Sequence, residues 1–137
     1  LLRSLMEGFG DAPGALRETI SAETPIIYRP LESILLTDTW SKGRVVLLGD
    51  AVHATTPHLA SGAGAAVEDA IVLGDELVSG ASIEQALANY NARRIPRASL
   101  VVNNSLKIGE LEMTGRPMQE QAALMGASMK AIAAPYR

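Results

Sequence analysis

The residues of this chain that are best suited to bind a ligand or to take part in a reaction lie between residues 43 and 77. A short apolar run at residues 45–48 is followed by Gly49 and Asp50, and then by a loop of small and polar residues that leads into a helical pattern. Asp50 would place a carboxylate at the end of a strand, and Gly62 and Gly64 would let backbone N–H groups approach a ligand closely. This order of strand, acidic turn, glycine loop and helix N-terminus is typical of a site for an anionic or polarised ligand.

The spacing of these residues forms a longer pattern. Its members are Gly49-Asp50-Ala51-Val52-His53, Pro57, Gly62-Ala63-Gly64 and Glu68-Asp69-Ala70. At these residues the segment resembles the second FAD-binding motif of the single-component flavoprotein aromatic hydroxylases, the relatives of salicylate hydroxylase and para-hydroxybenzoate hydroxylase. The full pattern is much more specific than a lone Gly-Asp pair, because a strand precedes it and a helix follows it.

The resemblance implies a role for each matching residue. Asp50, after Gly49, matches the Asp that hydrogen-bonds the ribityl chain of FAD, and Pro57 matches the proline beside the isoalloxazine ring. The loop whose amides face the N1/C2=O edge of the flavin is matched by Gly62, Ala63 and Gly64. Reduced flavin carries negative charge at that edge, so a helix N-terminus there is favourable.

The resemblance also implies an activity. In the family, NAD(P)H reduces the flavin, O2 adds to it, and the resulting hydroperoxyflavin transfers one oxygen atom to an aromatic ring. The cofactor carries out this chemistry while the protein orients it, so we assign no catalytic side chain. We therefore expect an FAD-dependent monooxygenase with FAD as cofactor, NAD(P)H as reductant and a small aromatic molecule as substrate.

Parts of the family pattern are missing from this chain. No G-x-G-x-x-G turn follows a strand, and the family usually has Gly where this chain has Ala60. At 137 residues the chain is one domain long, whereas the family's enzymes are considerably longer. We expect a C-terminal fragment that needs the missing N-terminal FAD-binding part as its partner, that is inactive alone, and that could form a homo-oligomer. Its expected segments are the end of a substrate-binding domain (1–42), the second FAD-binding motif (43–80) and a C-terminal helical segment (81–137).

Two other classes of function remain open at this point. Asp50 with His53 and His58 superficially resembles part of a two-metal phosphoesterase site, although such a site needs an upstream Asp-x-His and further ligands. We favour a structural hydrogen-bonding role for His53. The second alternative is a helical interaction domain without enzymatic activity, which only the helical pattern of the C-terminal half supports.

Composition narrows the class of protein. The chain is 47% hydrophobic and 20% charged with a formal net charge of −3, and no basic stripe with interleaved aromatic residues suggests nucleic-acid binding. Absence of Cys excludes disulfides and thiolate chemistry and is compatible with the cytoplasm, which we predict as the location. The uncharged stretch at residues 51–67 contains too much Pro, Gly and His for a membrane span.

The elements that must position these residues predict an α/β class, as an α+β fragment. We expect extended chain at residues 25–36, a loop at 37–43 and a short buried strand at 44–48. Helices are predicted at residues 1–7, 11–21 and 65–78. A further helix is predicted to begin at residue 82 and to kink near Pro96. After a break at residues 115–117, a last helix is predicted to extend to about residue 133. Side chains expected in the core are Val67, Ile71, Leu77, Val78, Ile83, Leu87, Tyr90, Trp40 and Tyr28.

Several charged and sulfur-containing residues on the helices have expected roles outside the chemistry. Glu68 and Asp69 are expected to be structural partners rather than catalysts. The three arginines on the long helix are expected to form a solvated or interdomain face, and they are Arg93, Arg94 and Arg97. The methionines of the tail are expected to pack or to form an oligomer contact, and they are Met113, Met118, Met125 and Met129.

Overall fold

A computed structural model describes residues 1–80 and 82–136, which fall into two compact units, Leu1–Pro30 and Leu31–Arg137. The first unit contains helices α1 (Leu2–Leu5) and α2 (Asp11–Thr19). An exposed ion pair joins Arg3 to Glu18 at 3.2 Å. Both predicted helices of this unit are confirmed, with slightly shorter bounds.

The second unit is mostly helical and carries a small two-stranded sheet. In chain order its elements are β1 (Ser41–Lys42), β2 (Val45–Val46), α3 (Asp50–His53), a 3-10 turn (Pro57–Leu59), α4 (Gly62–Val78), α5 (Ile83–Met113) and α6 (Met118–Ile132). The strands β1 and β2 pair antiparallel, with Lys42 opposite Val45. The fold therefore belongs to the α/β class in its coarse form.

The helix signals in the sequence agree with the structure. Ser82 caps α5, because its Oγ accepts a hydrogen bond from the N–H of Gln85 at 3.2 Å. A kink is predicted near Pro96, and in the structure α5 continues as one helix through this residue. Gly115, with φ +63°, follows the end of α5 as expected.

The prediction of a short buried strand at residues 44–48 is correct in that a strand forms there, but it is wrong in that the strand is not buried. Residues 45 and 46 form β2, but Val45 is 65% exposed, and Leu47 and Leu48 are also exposed. The reason is that β2 pairs only with β1 in the part of the chain described, and the sequence pattern of a buried strand presupposes neighbours on both sides. No strand is assigned at residues 25–36, although the N–H groups of Ile34 and Leu36 bond to the turn at α3.

The predicted core face of α4 is wrong. Val67, Leu77 and Val78 are exposed and Ile71 is only partly buried. The buried residues of α4 are instead Ala65, Asp69, Val72 and Glu76. Two carboxylates occupy this face because arginines of α5 pair with both of them, a compensation that hydrophobic periodicity does not reveal.

The core of the second unit contains Trp40, Val52, Val72, Tyr90 and Ala98, so Trp40 is in the core as predicted. The Tyr90 hydroxyl donates to the carbonyl oxygen of Leu47 at 3.2 Å and thereby connects α5 to the end of β2. Burial raises the pKa of Tyr90, which keeps its hydroxyl protonated as a donor.

Other expected core or packing side chains are exposed. In the first unit, Tyr28 is 89% exposed, which contradicts its predicted burial. On α5, Leu87 and Tyr90 are buried as predicted, whereas Ile83 is exposed because it lies in the first turn of the helix. The four methionines of the tail are exposed, so their expected packing within this chain is wrong and an oligomer contact stays a prediction.

Candidate functional site

The candidate site begins at Gly49, three residues after the end of β2. Its backbone has φ 60° and ψ −140°, a region that only glycine adopts without strain. A Cβ at this position would lie 3.2 Å from the Cβ of Ala66 on α4. Conformation and space therefore both require glycine at the turn that precedes Asp50.

Asp50 is the first residue of α3 and its side chain is exposed. Within the described residues its carboxylate has no hydrogen bond or ion pair. A carboxylate in that state, on a turn held by its neighbours, can accept hydrogen bonds from the hydroxyl groups of a ligand.

His53 ends α3 and is 1% exposed. Its Nε2 lies 2.6 Å from Oδ2 of Asp69, and its ring centroid lies 5.5 Å from that of Trp40. These contacts agree with the structural role that we favoured for His53, because both sides of the imidazole are used for packing and for a buried hydrogen bond.

Asp69, on α4, connects the turn to the long helix α5. Its carboxylate accepts hydrogen bonds from the N–H of Gly49 at 2.9 Å, from His53, and from Nε of Arg94 at 2.7 Å. Burial by itself would raise the pKa of Asp69, but the hydrogen bonds from His53, Gly49 and Arg94 outweigh burial and hold that pKa below its ordinary value. Asp69 therefore remains a charged acceptor at neutral pH.

The prediction that the arginines of α5 form a solvated or interdomain face is wrong for Arg94, which is 1% exposed. Arg94 also donates to Glu68 at 2.8 Å and to the carbonyl oxygen of Ala65 at 3.1 Å. Its fixed fork of donors suits this set of acceptors, which explains how so large a cation is buried. Glu68 and Asp69 are structural partners, as expected.

Arg97 extends the same ion-pair network to α6. It binds both carboxylate oxygens of Glu68, at 2.6 and 2.8 Å, and donates to backbone carbonyl oxygens at the end of α6, including that of Ala134 at 3.1 Å. A cation at a helix C-terminus interacts favourably with the unpaired carbonyl groups there. The start of α4, the middle of α5 and the end of α6 are thus joined through two side chains.

The loop that carries Pro57 is held in place by hydrogen bonds to α5. The hydroxyl of Ser105 donates to the carbonyl oxygen of Thr56 at 3.0 Å and accepts from the N–H of Leu59 at 3.3 Å. These bonds lie on both sides of Pro57, whose ring is exposed. The loop can therefore present the proline ring in a fixed position.

His58 turns away from His53 and lies against α5. Its Nδ1 is 2.9 Å from Oγ1 of Thr56, and its Nε2 is 3.6 Å from Glu112. A Cβ at Gly109 would lie 2.7 Å from the imidazole, so α5 requires glycine there. His58 borders a mainly apolar cleft of about 540 Å³ between this loop and the end of α5.

Ala60 occupies the position at which the family usually has Gly. Its backbone is left-handed, with φ 48° and ψ 27°. An alanine in this conformation costs roughly 1 kcal/mol more than glycine. The left-handed conformation explains why glycine would suit the position, and Ala60 adopts it with a methyl group added.

The first turn of α4 presents backbone donors beyond this loop. The amides of Gly62, Ala63 and Gly64 belong to the N-terminal turn, and no side chain caps them. A Cβ at Gly62 would lie 3.0 Å from Cγ2 of Thr55, whereas a Cβ at Gly64 would meet nothing within 4 Å and would lie in open space. Uncapped amides beside open space, together with the free carboxylate of Asp50, fit a ligand that has both hydroxyl groups and a polarised oxygen edge, as FAD has.

The metal alternative finds no ligand set here. Across residues 1–80 and 82–136, no group of three His, Asp or Glu side chains lies close enough to hold a metal ion. His53 and His58 bind to Asp69 and Thr56 respectively and do not face one another.

Sequence reasoning missed what holds the loop. It did not identify the buried pairing of Asp69 with Arg94 or the contact of Ser105 with Thr56, because each joins residues far apart in the chain. One signal was available, namely charged residues at positions of α4 and α5 that face the same way as core residues.

Among the described residues, no helix has both the length and the apolar character needed to cross a membrane.

Comparison with known proteins assigns the family. A family model described as FAD binding domain matches residues 32–105, more than half of the chain. Salicylate hydroxylase of Pseudomonas putida is 40% identical over 108 residues, which are 76% of this chain and 24% of that protein. Phenazine 1,6-dicarboxylic acid hydroxylase PhzS of Lysobacter antibioticus is 35% identical over 134 residues, which are 95% of this chain and 30% of that protein.

A solved structure agrees with this assignment. The crystal structure of a variant of HpxO from Klebsiella pneumoniae, complexed with FAD, matches 99% of this chain and 40% of that chain, with a TM-score of 0.71 and 27% identity. The chain thus spans less than a third of the length of the two hydroxylases, and less than half of HpxO. By the family model, the relatives and the structure together, this chain belongs to the FAD binding domain family of the FAD-dependent monooxygenases.

Proposed function

We propose that this chain forms the flavin-facing part of an FAD-dependent monooxygenase that uses NAD(P)H and O2 to hydroxylate an aromatic or similar small organic substrate. The observation that carries the proposal is that one segment presents both an exposed, unpartnered Asp50 carboxylate, after a turn that a buried hydrogen bond holds at Gly49, and the uncapped amides of Gly62–Gly64. Family membership supports FAD as the ligand.

In this proposal each site residue has one task. Asp50 accepts a hydrogen bond from a ribityl hydroxyl, and Gly49 gives the turn the conformation that brings Asp50 there. Pro57 lies beside the isoalloxazine ring. The amides of Gly62, Ala63 and Gly64 donate to the N1/C2=O edge, where the positive end of the α4 dipole favours negative charge.

FAD, when bound, would supply the redox chemistry and the activation of O2. The residues of this chain bind and orient the cofactor, and none of them acts as a nucleophile or as a general base. An aromatic substrate is supported by the names of relatives such as salicylate hydroxylase and 3-hydroxybenzoate 6-hydroxylase.

The proposal includes a division of the chain. Residues 1–42 would end a substrate-binding domain, residues 43–80 would be the second FAD-binding motif, and residues 81–137 would form a helical segment that supports it. The G-x-G-x-x-G region that binds the adenosine half of FAD in the family would come from the same protein and would cover the exposed side chains of β2.

The test uses the whole protein encoded by the gene. It should purify with a flavin absorbance spectrum and should oxidise NADH or NADPH faster when aromatic hydroxy acids are added, with one oxygen atom from ¹⁸O2 in the product. Protein that stays colourless after reconstitution with FAD would contradict the proposal, as would flavoprotein whose reduction by NAD(P)H never leads to an oxygenated product with any of a panel of aromatic compounds.

A further inference from the structure

The strongest unassigned feature is the position of Asp69 relative to α3. This side chain is 0% exposed and binds residues at both ends of that short helix. Gly49 precedes α3 and donates its N–H to Oδ2 of Asp69, and His53 ends α3 and bonds to the same oxygen. Asp50 lies between these two anchor points and has its carboxylate in the open.

A single oxygen atom therefore contacts both ends of α3, whose C-terminal half is also bonded by the backbone N–H groups of Ile34 and Leu36. The peptide group on the N-terminal side of Gly49 is held by its hydrogen bond, and the other end of α3 is held by the imidazole, which packs on Trp40. The other carboxylate oxygen, Oδ1, is held by Nε of Arg94 at 2.7 Å. Neither oxygen can move without breaking a charge-assisted hydrogen bond in a buried environment.

We propose that Asp69 is a positioning residue for the cofactor, with Arg94 as its buried counter-ion: it holds both ends of α3 so that the Asp50 carboxylate is presented to FAD in one orientation. This inference rests on the proposed function. Asp69 does not touch the ligand in this scheme, and it acts through Gly49, His53 and Asp50.

The alternative is that Asp69 only joins α4 to α5. The chain contains a control for that role, because Glu76 lies on the same helix, is also buried, and binds Arg93 of α5 at 2.6 Å and Asn89 at 2.9 Å. In the part of the chain described, none of the hydrogen bonds of Glu76 reaches residues 49–53. Neutralising either carboxylate weakens the contact of α4 with α5, but only Asp69 reaches the turn.

The experiment compares Asp69→Asn with Glu76→Gln in the whole protein encoded by the gene. Asparagine keeps the shape of Asp69 but presents an NH2 group to one set of donors, which leaves a buried donor without an acceptor. Both variants should unfold at lower temperature than the unmodified protein. Asp69→Asn should also weaken FAD binding by about tenfold or more relative to Glu76→Gln, and equal FAD dissociation constants for the two variants would overturn the proposal.

A second pair of variants keeps the test decisive if Asp69→Asn does not fold. His53→Gln retains an N–H that can reach Asp69, and His53→Leu retains packing against Trp40 without a donor. We expect His53→Gln to bind FAD within about threefold of the unmodified protein and His53→Leu to bind at least about tenfold more weakly. Equal affinity in the two variants would contradict the role of the His53 anchor.

A double variant separates this inference from the proposed function. If Asp69 acts through Asp50, adding Asp69→Asn to Asp50→Ala should weaken FAD binding little beyond Asp50→Ala alone, whereas fully additive losses would overturn the positioning role. If the unmodified protein does not bind FAD, the proposed function fails. If it binds FAD but Asp50→Ala leaves its affinity unchanged, the positioning role fails while the proposed function stands, because Asp69 is proposed to act through Asp50.

Discussion

The hydroxyl of Ser105 donates to the carbonyl oxygen of Thr56 at 3.0 Å, which connects the middle of α5 to the residue before the exposed Pro57. The hydroxyl oxygen of Ser105 also accepts a hydrogen bond from the N–H of Leu59. Ser105→Ala would remove the acceptor of the Leu59 N–H and leave the carbonyl oxygen of Thr56 with the long bond from the Thr55 hydroxyl at 3.4 Å, and it should lower the free energy of unfolding by about 1–3 kcal/mol. Denaturant unfolding measures this, and FAD affinity should fall together with stability because the loop loosens.

Ser99 provides the control for this prediction. It also lies on α5 and is partly buried, and its hydroxyl makes no hydrogen bond to another side chain or to the backbone of the described residues. Ser99→Ala should change stability by less than about 0.5 kcal/mol. A loss in Ser105→Ala no larger than in Ser99→Ala would show that the hydroxyl does not hold the loop.

Gly49→Ala should destabilise the second unit. The backbone at this residue lies in a region that costs a side-chain-bearing residue about 1–3 kcal/mol, and the added methyl would also press on Ala66. The matched change is Gly74→Ala inside α4, where a Cβ meets nothing within 4 Å and should stabilise the helix by roughly 0.5–1 kcal/mol. Thermal unfolding of both variants should therefore give shifts of opposite sign, and shifts of the same sign would count against this account of Gly49.

Asp50→Ala should weaken FAD binding without a large change in stability, since the carboxylate is exposed and has no partner in the described chain. The lost bond, from a ribityl hydroxyl to a charged acceptor, is worth about 1.5–3 kcal/mol, roughly ten- to a hundredfold in affinity. Equilibrium dialysis of the whole protein measures it, with Asp38→Ala as an exposed control outside the motif. Unchanged affinity in Asp50→Ala would remove this residue from the site.

The protein should lose stability in acid through the α4 carboxylates. Burial by itself would raise the pKa of Glu68, but the hydrogen bonds from Arg97 and Arg94 outweigh burial and hold this pKa below its ordinary value. The pKa of Asp69 is likewise held below its ordinary value by hydrogen bonds that outweigh burial. A carboxylate with a lowered pKa in the folded state stabilises the protein above its unfolded-state pKa, about 4, and this contribution disappears as the pH falls through the folded-state value. The melting temperature should thus fall below about pH 4, and less steeply in Asp69→Asn; equal slopes would contradict this assignment.

The 137-residue chain by itself should not bind FAD tightly. The amides of Gly62–Gly64 and one helix terminus contribute only a few kcal/mol, whereas a dissociation constant of 1 μM requires about 8 kcal/mol. Exposed Val45, Val67 and Val78 should favour self-association. Flavin fluorescence titration tests this, and saturable binding at or below about 1 μM would show that the site is self-contained.

The sequence predicted those parts of the fold that local patterns determine. Ser82 followed by Gln85 predicted the start of α5, and the Gly-Asp pair after an apolar run predicted the turn before α3, because caps and turns depend on residues close in the chain. The buried face of α4 could not be predicted in this way. Asp69 can be buried because Gly49, His53 and Arg94 all donate to its carboxylate, and the pairing with Arg94, from another helix, depends on tertiary geometry.

The candidate site shows the same division. The residues expected to face the cofactor lie together on one loop and one helix terminus, and their contact with FAD stays a prediction. The β1–β2 hairpin was not predicted, because Ser41 and Lys42 have weak strand propensity and pair only through their neighbours across the turn.

The contacts of Arg97 with both α4 and α6 affect how these two helices unfold locally. Glu68 in the early part of α4 and the terminal carbonyl groups of α6 share this one guanidinium, so α6 cannot detach without leaving a partly buried guanidinium short of acceptors. Local unfolding normally follows such energetic boundaries rather than the ends of individual helices. Amide hydrogens in α4 and in the last turns of α6 should consequently exchange with solvent as one cooperative unit, although the two segments are far apart along the chain.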